Sequence, residues 1–314
     1  MCNADSFFVI LAIKYPCTIV VRVFRGFDMI EEQFERDYPK DCTLITPKNN
    51  SEHFMILYKY IDHASLNRFF KDGYISIKFT PHSEFNDPFE SYGYALDDES
   101  IESLTMRYVI DQNLACLCLA KNPLNVLMWS HYADKHQGFV VAIDTQRAGF
   151  DDEEKCLITA SKGDINYLEN RIKSKLKISR EDIYDTDIIS KLLLTKSLHW
   201  QYEEEVRIIK KKESLQNHDS VLIDKIVDLK SVTGIYIGIN NKGFDNIIKN
   251  NSTLEELILK KTVQLYKCEF KKSTWDLTIE DYEYTPYPHA MQRMDVFDSV
   301  ERVLRAMERN HIGD

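Results

Sequence analysis

The sequence predicts an α+β fold, with a mixed, largely antiparallel sheet at its core and helices on its flanks. Segments of strand-like apolar spacing, bounded by turn residues, recur at 55–60, 74–79, 115–119, 138–144, 234–239 and 263–270. Helical spacing occurs between them at irregular intervals, so the chain does not follow a repeating βαβ order. The sequence has no internal repeat and no Gly-rich phosphate loop.

Local signals place the individual elements. Asp62 is positioned to cap a helix whose apolar face is Leu66, Phe69 and Phe70, and Gly73 is placed where that helix would end. In the strand at 74–79, Ile75, Ile77 and Phe79 are expected to point inward. Further helices are predicted at 124–134, over a longer and weaker stretch at 168–200, and after a capping box at 252–255.

Composition indicates a soluble globular protein of the reducing cytoplasm. The 314 residues are 44% hydrophobic and 29% charged, and the net charge of −10 predicts no general attraction to nucleic acid. Seven cysteines lie without paired spacing, which is typical of a reducing compartment. The apolar stretch at 7–23 is interrupted by Lys14, Pro16 and Arg22, so neither a membrane span nor a signal peptide is expected.

Three regions are predicted along the chain. Residues 1–54 are an N-terminal extension with a short strand or two, an acidic surface stretch at 31–41 and a polar boundary loop at 46–52. Residues 55–280 form the α+β domain. Residues 281–314 contain a Tyr/Pro-rich linker at 282–288 and an amphipathic helix, whose apolar face is Val296, Val300, Val303, Leu304 and Met307.

The segment at 202–209 carries the strongest chemical signal. Read as a strand, it places Glu203, Glu205 and Arg207 on one face, and burial of such a set requires mutual pairing. Arg207 is expected to neutralise the two glutamates. Helical spacing over 189–200 would direct Lys196, on the same face as Trp200, to this region. The alternative is a solvated edge strand with Glu–Arg pairs across strands.

Two other segments are candidates for a site. In the helix at 124–134, His131 lies on an apolar face, and Trp129 and Tyr132 form a neighbouring stripe with His136. Ordinary core packing explains the same pattern, and the spacing of the two histidines does not suit a shared zinc ion. Asn86 and Asp87 open a loop at 86–90 that is either a rigid turn or part of the site.

Four motifs in order resemble a bacterial family known as domain of unknown function 2971. They are Leu57-Tyr-Lys-Tyr60, Phe85-Asn-Asp-Pro-Phe-Glu90, Leu127-Met-Trp-Ser-His-Tyr-Ala133 with His136-Gln-Gly-Phe139, and Lys196 with Trp200-Gln-Tyr-Glu-Glu-Glu-Val-Arg207. The resemblance covers residues 55–270 and implies that Met55 corresponds to the family's usual start. It also implies a bacterial toxin or effector, with a role in phage defence.

A weaker resemblance is to the ADP-ribosyltransferase plan, particularly its nucleic-acid-modifying branch. It implies NAD as substrate, Glu205 as the catalytic carboxylate that faces the ribose, and Glu203 as the partner on the side of a nucleic-acid or protein acceptor. The chain departs from that plan in lacking a clear His or Arg on the first strand and a Ser-Thr-Ser motif. The implied NAD-binding residues are Tyr58, Lys59, Asn86, Asp87, Trp129, His131, Tyr132, Lys196, Trp200 and Arg207.

Three hypotheses of different class therefore stand. The first is an NAD-consuming transferase. The second is a Mg²⁺-dependent nuclease or hydrolase that uses Asp87, Glu90, Glu203 and Glu205 as oxygen ligands. The third is a non-catalytic binding or sensor module in which the motifs hold the fold together.

Overall fold

The computed structural model describes residues 10–15, 18–25, 28–34, 55–94, 101–173 and 183–286, and the chain divides into two compact units, Met1–Glu52 and His53–Asp314. In the first unit, β1 (Ile10–Tyr15), β2 (Thr18–Arg25) and β3 (Asp28–Phe34) form an antiparallel sheet in sequence order. Three strands are thus present where the sequence predicted one or two. The predicted boundary loop at 46–52 and the predicted C-terminal helix lie outside the described residues.

A seven-stranded sheet forms the centre of the second unit. Its strands, in spatial order, are β11 (Glu205–Lys211), β7 (Leu114–Ala120), β4 (Ile56–Ile61), β8 (Phe139–Asp144), β14 (Val232–Ile237), β15 (Gln264–Phe270) and β16 (Leu277–Asp281). All neighbours are antiparallel except β14 and β15, which are parallel. The predicted α+β class with a mixed, largely antiparallel sheet is confirmed.

A smaller sheet contributes the other side of the main core. It contains, in order, β12 (Gln216–His218), β13 (Val221–Ile226), β6 (Tyr74–Phe79) and β5 (Phe70–Lys71). Ile75, Ile77 and Phe79 of β6 are at most 1% exposed and belong to the same apolar cluster as Leu117 and Val141 of the large sheet. Their predicted inward orientation is confirmed. A short parallel pair, β9 (Asn166–Leu168) and β10 (Thr195–Ser197), lies apart.

The helices are short and correct several predictions. They are α1 (Ser65–Phe69), α2 (Ile101–Asn113), α3 (Val126–Tyr132), α4 (Thr186–Leu193), α5 (Phe244–Lys249) and α6 (Ser252–Leu259). The long helix predicted over 168–200 is wrong, since α4 is the only α-helical segment among the described residues there and Lys196 lies in β10. Asn251, not Ser252, caps α6, because its side chain accepts from the Leu254 amide at 3.0 Å.

Gly73 also has a different role from the predicted one. The helix α1 ends at Phe69, and Gly73 has φ +81 in the turn of the β5–β6 hairpin. A left-handed backbone angle at this turn favours a residue without a Cβ. Asp62 is not the N-cap of α1, which is Ala64, but its Oδ1 accepts from the Ser65 amide at 2.8 Å, so its predicted role is confirmed only in part.

The outermost strand of the large sheet is not solvated. Six of the seven positions of β11 are buried, and its outer edge pairs with Ile158 and Asp164 through isolated bridges at Ile209 and Val206. A covered edge excludes the water that would screen Glu205 and Arg207. The alternative of a solvated edge strand is therefore wrong. No helix among the described residues is long and apolar enough to cross a bilayer.

A fragment that begins at Met55 is expected to fold without residues 1–54, because every strand of the large sheet lies downstream of that point. We expect a single cooperative urea transition, with a free energy of unfolding within about 1 kcal/mol of the full chain. A fragment that begins at Asp62 is the control, since it lacks β4, which pairs with β8 at six positions. Loss of the cooperative transition in the Met55 fragment would show that residues 1–54 are integral to the domain.

Candidate functional site

Three adjacent strands place two of the candidate residues, Tyr58 and Glu205, in one row across the sheet. Tyr58 of β4 and Glu205 of β11 are both register partners of Ala120 in β7, which lies between them. Next to this row is a cavity of about 410 Å³. Nine of the twelve predicted site residues line it: Tyr58, Lys59, Asn86, His131, Tyr132, Lys196, Glu203, Glu205 and Arg207.

Glu205 lies in the cavity wall and is only 6% exposed. Its Oε1 accepts from Arg207 Nε at 2.7 Å, and its Oε2 accepts from Lys196 Nζ at 3.0 Å. Its backbone amide donates to the Tyr167 hydroxyl at 2.9 Å. Both the carboxylate and its backbone are therefore held in place, which is what a preorganised electrostatic group requires.

Arg207 is fully buried and connects three parts of the chain. Besides Glu205, its guanidinium donates from Nη2 to Glu90 Oε2 at 3.0 Å and from Nη1 to the Leu193 carbonyl at 2.5 Å. The sequence predicted that Arg207 neutralises Glu203 and Glu205. The structure corrects this, because its second carboxylate is Glu90, from the loop after β6.

Glu203 reaches the cavity by a different route from the predicted one. It is the last residue of a 3₁₀ turn, Leu198–Glu203, and is not part of β11. Glu204 then adopts a left-handed conformation with φ +44, which reverses the backbone before the strand begins. The predicted strand alternation is thus wrong at Glu203, although its 4%-exposed side chain still lies beside Glu205.

Lys196 joins the two glutamates. From β10, its ammonium group donates to Glu203 and, at 3.0 Å, to Glu205 Oε2. Burial disfavours the charged form, but attraction to Glu205 and Glu203 more than offsets it and raises the pKa of Lys196. Lys196 is therefore a permanent cation of the site.

The pKa values of the two glutamates are shifted in opposite directions. Burial alone would raise the pKa of Glu205, but Arg207 and Lys196 overcome this and lower it to about 2. Burial dominates at Glu203 and raises its pKa, although Lys196 and the Tyr132 hydroxyl oppose the shift. Paired carboxyl groups whose pKa values are pushed apart are typical of sites in which one stays ionised and the other exchanges a proton.

A chain of hydrogen bonds extends from Glu203 to the exposed Asn86. The Tyr132 hydroxyl donates to Glu203 Oε1 at 2.6 Å and accepts from Asn86 Nδ2 at 2.9 Å. Burial and the bond to Glu203 raise the pKa of Tyr132, so it remains a neutral donor. Lys59 also lines the cavity, where its Nζ donates to the Cys118 carbonyl at 3.0 Å and burial lowers its pKa.

Three predicted site residues do not line the cavity. Trp129 is fully buried and donates from Nε1 to the Pro123 carbonyl at 2.8 Å, so it is a core residue. Asp87 is buried and accepts from the Phe89 amide at 2.9 Å, which makes it a turn residue. Trp200 lies next to the cavity, with the Lys196 ammonium 4.9 Å from its ring centroid.

Sequence reasoning missed two residues that position the cluster. Glu90 was considered only as a metal ligand, although it lies in the Phe85–Glu90 motif and pairs with Arg207. Tyr167 supports the Glu205 backbone from β9. No pattern in the sequence marks Tyr167, because its role depends on the pairing of β9 with β10.

The cluster is arranged for charge pairing. Glu90 and Glu205 bind Arg207, while Glu203 and Glu205 bind Lys196. These two cations occupy the positions next to the carboxylates and would repel a divalent ion. Among the described residues, no group of three or more His, Cys, Asp and Glu side chains is placed to hold a metal ion.

Replacement of Arg207 by Ala is expected to lower the free energy of unfolding by about 3–5 kcal/mol, because Glu205 and Glu90 would lose their shared counter-ion in a buried site. Urea unfolding measures the change. Arg68→Ala is the control, since this side chain is 67% exposed and its carboxylate partner is 3.9 Å away; we expect a loss of less than about 1 kcal/mol. Equal losses in both variants would contradict the assignment of Arg207 as the centre of the cluster.

Glu205 is expected to make the stability of the protein depend on acid pH. Its pKa falls from 4.5 to about 2 on folding, so its ionised form stabilises the fold above pH 4.5, and this contribution is lost as the pH falls toward about 2. Urea unfolding between these pH values should show a steeper loss in the wild type than in Glu205→Gln. Glu204→Gln changes the exposed neighbour and should follow the wild type. Parallel curves for all three proteins would show that Glu205 is not held by its cations.

Comparison with known proteins gives one match. Residues 128–208 match the family model described as Protein of unknown function (DUF2971). No curated protein matches the chain, and no solved structure matches it. The matched segment runs from α3 to β11 and contains seven of the cavity residues: Met128, His131, Tyr132, Lys196, Glu203, Glu205 and Arg207. The match supports the resemblance to domain of unknown function 2971 over these residues.

Proposed function

We propose that the cavity binds NAD and that the protein is an ADP-ribosyltransferase-like enzyme. The observation that carries the proposal is a buried carboxylate, Glu205, that is kept ionised in the wall of a cavity. Cleavage of the bond between nicotinamide and ribose develops positive charge on the sugar, and a fixed carboxylate stabilises that charge. Three carboxylates surround the two cations Lys196 and Arg207, so this cluster is negative by one charge when all five groups are ionised.

The cavity suits the nicotinamide riboside half of NAD. Its volume of about 410 Å³ falls in the range of small-molecule sites. Tyr58 and Phe85 supply aromatic surface for a flat ring. Lys59 uses one of its three donors on the Cys118 carbonyl, so the others can bind an anionic group such as the pyrophosphate.

The two glutamates have separate roles in this proposal. As the bond to ribose C1′ breaks, nicotinamide leaves with the bonding electron pair, and an acceptor atom forms the new bond to C1′. The proton of the acceptor passes to Glu203, whose raised pKa makes it the better base. Glu205 keeps its charge throughout.

Two alternative functions compete with the transferase. A Mg²⁺-dependent hydrolase would need the carboxylates that Lys196 and Arg207 already occupy, which disfavours it. The non-catalytic binding module is favoured by one observation, namely that both oxygens of Glu205 already accept hydrogen bonds. In that case the cavity would bind a planar ligand and leave it unchanged.

The proposed setting is the bacterial cytoplasm, where the enzyme would act as a defence effector or toxin. Two observations support this setting: the seven cysteines lie without paired spacing, and the chain resembles domain of unknown function 2971. The proposed partners are NAD and a nucleic-acid or protein acceptor.

Replacement of Glu205 by Gln is expected to reduce nicotinamide release from NAD by about a hundredfold or more, because the amide keeps the shape of the side chain and loses its charge. The variant should fold, since Arg207 keeps Glu90 and Lys196 keeps Glu203. Glu204→Gln is the matched control, with the same chemical change at the exposed adjacent residue, and should remain active.

Both variants and the wild type are assayed with and without EDTA. Activity that survives EDTA and disappears only in Glu205→Gln supports the transferase. Full activity in Glu205→Gln would refute the role of Glu205, and EDTA-sensitive hydrolysis would favour the metal-dependent alternative. Ligand binding by the wild type without nicotinamide release would favour the binding module.

A further inference from the structure

Four aromatic side chains form a continuous arc next to the cavity, and two of them, His131 and Tyr132, also line it. The ring centroids of Trp200 and Tyr202 are 6.1 Å apart, those of Tyr202 and His131 are 6.2 Å apart, and those of His131 and Tyr132 are 6.2 Å apart. His131 is exposed, and the other three rings are half-buried. The aromatic arc (Trp200, Tyr202, His131 and Tyr132) is therefore partly accessible, while Tyr202 and Tyr132 also pack against the core cluster that contains Trp129.

Both ends of the aromatic arc contact the charged cluster, which consists of Glu90, Glu203, Glu205, Lys196 and Arg207. At one end, the Lys196 ammonium lies 4.9 Å from the Trp200 ring centroid and also binds Glu203. At the other end, the Tyr132 hydroxyl donates to Glu203 at 2.6 Å. The arc thus borders Glu203, the glutamate that the proposed function places on the acceptor side.

Three consecutive rings of the arc, Trp200, Tyr202 and His131, suit the binding of a flat ring. Tyr202 is tilted by 36° from Trp200 and by 38° from His131, so successive faces turn gradually instead of meeting edge to face. Stacking on aromatic faces is a common way to bind unpaired bases, because every base has a π-face. The chain carries a net charge of −10, so recognition of a phosphate backbone is not expected to supply the affinity.

We propose that the aromatic arc binds a nucleobase and presents it to Glu203 as the ADP-ribose acceptor. This assignment rests on the proposed function for the transfer step, although binding of the base does not. A ring or exocyclic N–H of the base forms the bond to ribose C1′, nicotinamide leaves with its electron pair, and the proton of the base passes to Glu203. The base could belong to a free nucleotide or to an unpaired position in a single strand.

Binding is measured by calorimetry without NAD, with nucleosides, nucleoside monophosphates and short single-stranded oligonucleotides as probes. Trp200→Ala and Tyr202→Ala should bind nucleosides about tenfold or more weakly than the wild type. Trp200→Phe should retain most of the affinity, since it keeps a ring. Trp275→Ala is the matched control, because this tryptophan is 99% exposed in the turn between β15 and β16 and should not affect binding.

The two sources of the base are separated by comparing probes. Equal affinity for nucleosides and oligonucleotides at all salt concentrations assigns the site to free nucleotides. Tighter oligonucleotide binding that is lost in Trp200→Ala assigns it to a single strand. Transfer is then followed with NAD as the gain of one ADP-ribosyl group by the probe.

Three results would overturn the assignment. One is unchanged nucleoside binding in both arc variants. Another is modification of a protein, but of no nucleobase, by an active enzyme. The third is a raised KM for NAD, but not for nicotinamide mononucleotide, in Trp200→Ala, which would assign the arc to the adenine of the donor. Nucleoside binding by a protein that does not cleave NAD would instead refute the proposed function and leave the arc as a base-binding site.

Discussion

The site depends on one buried interaction, the Arg207 guanidinium between Glu205 and Glu90. It joins the outer strand of the large sheet to the loop after β6, and through the Leu193 carbonyl it also fixes the end of α4. Burial of charges is costly unless every charge has partners, so such a set is stable only when complete. Lys196 completes it by donating to Glu203 Oε2 and to Glu205 Oε2, the second of which also accepts from Arg207 Nη2.

The surroundings of the two glutamates explain why they differ. Glu205 contacts two cations, whereas Glu203 shares one of them and receives its other hydrogen bond from the neutral Tyr132. The same residue type, two positions apart, therefore has a lowered pKa in one case and a raised pKa in the other. This difference is the physical basis for assigning one glutamate to charge stabilisation and the other to proton transfer.

Much of this arrangement could be predicted from the sequence. The alternation of apolar and polar residues identified the strands, and Glu205 and Arg207 were predicted to pair because buried charges need partners. What failed depended on long-range structure. Lys196 continues the helical spacing of Leu192 and Leu193 but lies in β10, whose pairing with β9 overrides the local pattern. Glu203 enters the cavity through the left-handed Glu204, which no strand pattern predicts. Trp129 could not be told from a ligand-stacking residue, since core and site aromatics occupy the same positions of a helix.

The assignment of roles depends on two opposite effects: the structure lowers the pKa of Glu205, which keeps it ionised, and raises the pKa of Glu203. The most direct test is ¹³C NMR titration of the glutamate carboxyl carbons, assigned by comparison with Glu203→Gln and Glu205→Gln. We expect the Glu205 signal to stay at its ionised position until the pH approaches about 2, and the Glu203 signal to move above pH 4.5. Titration of both signals together near pH 4.5 would contradict this assignment of roles.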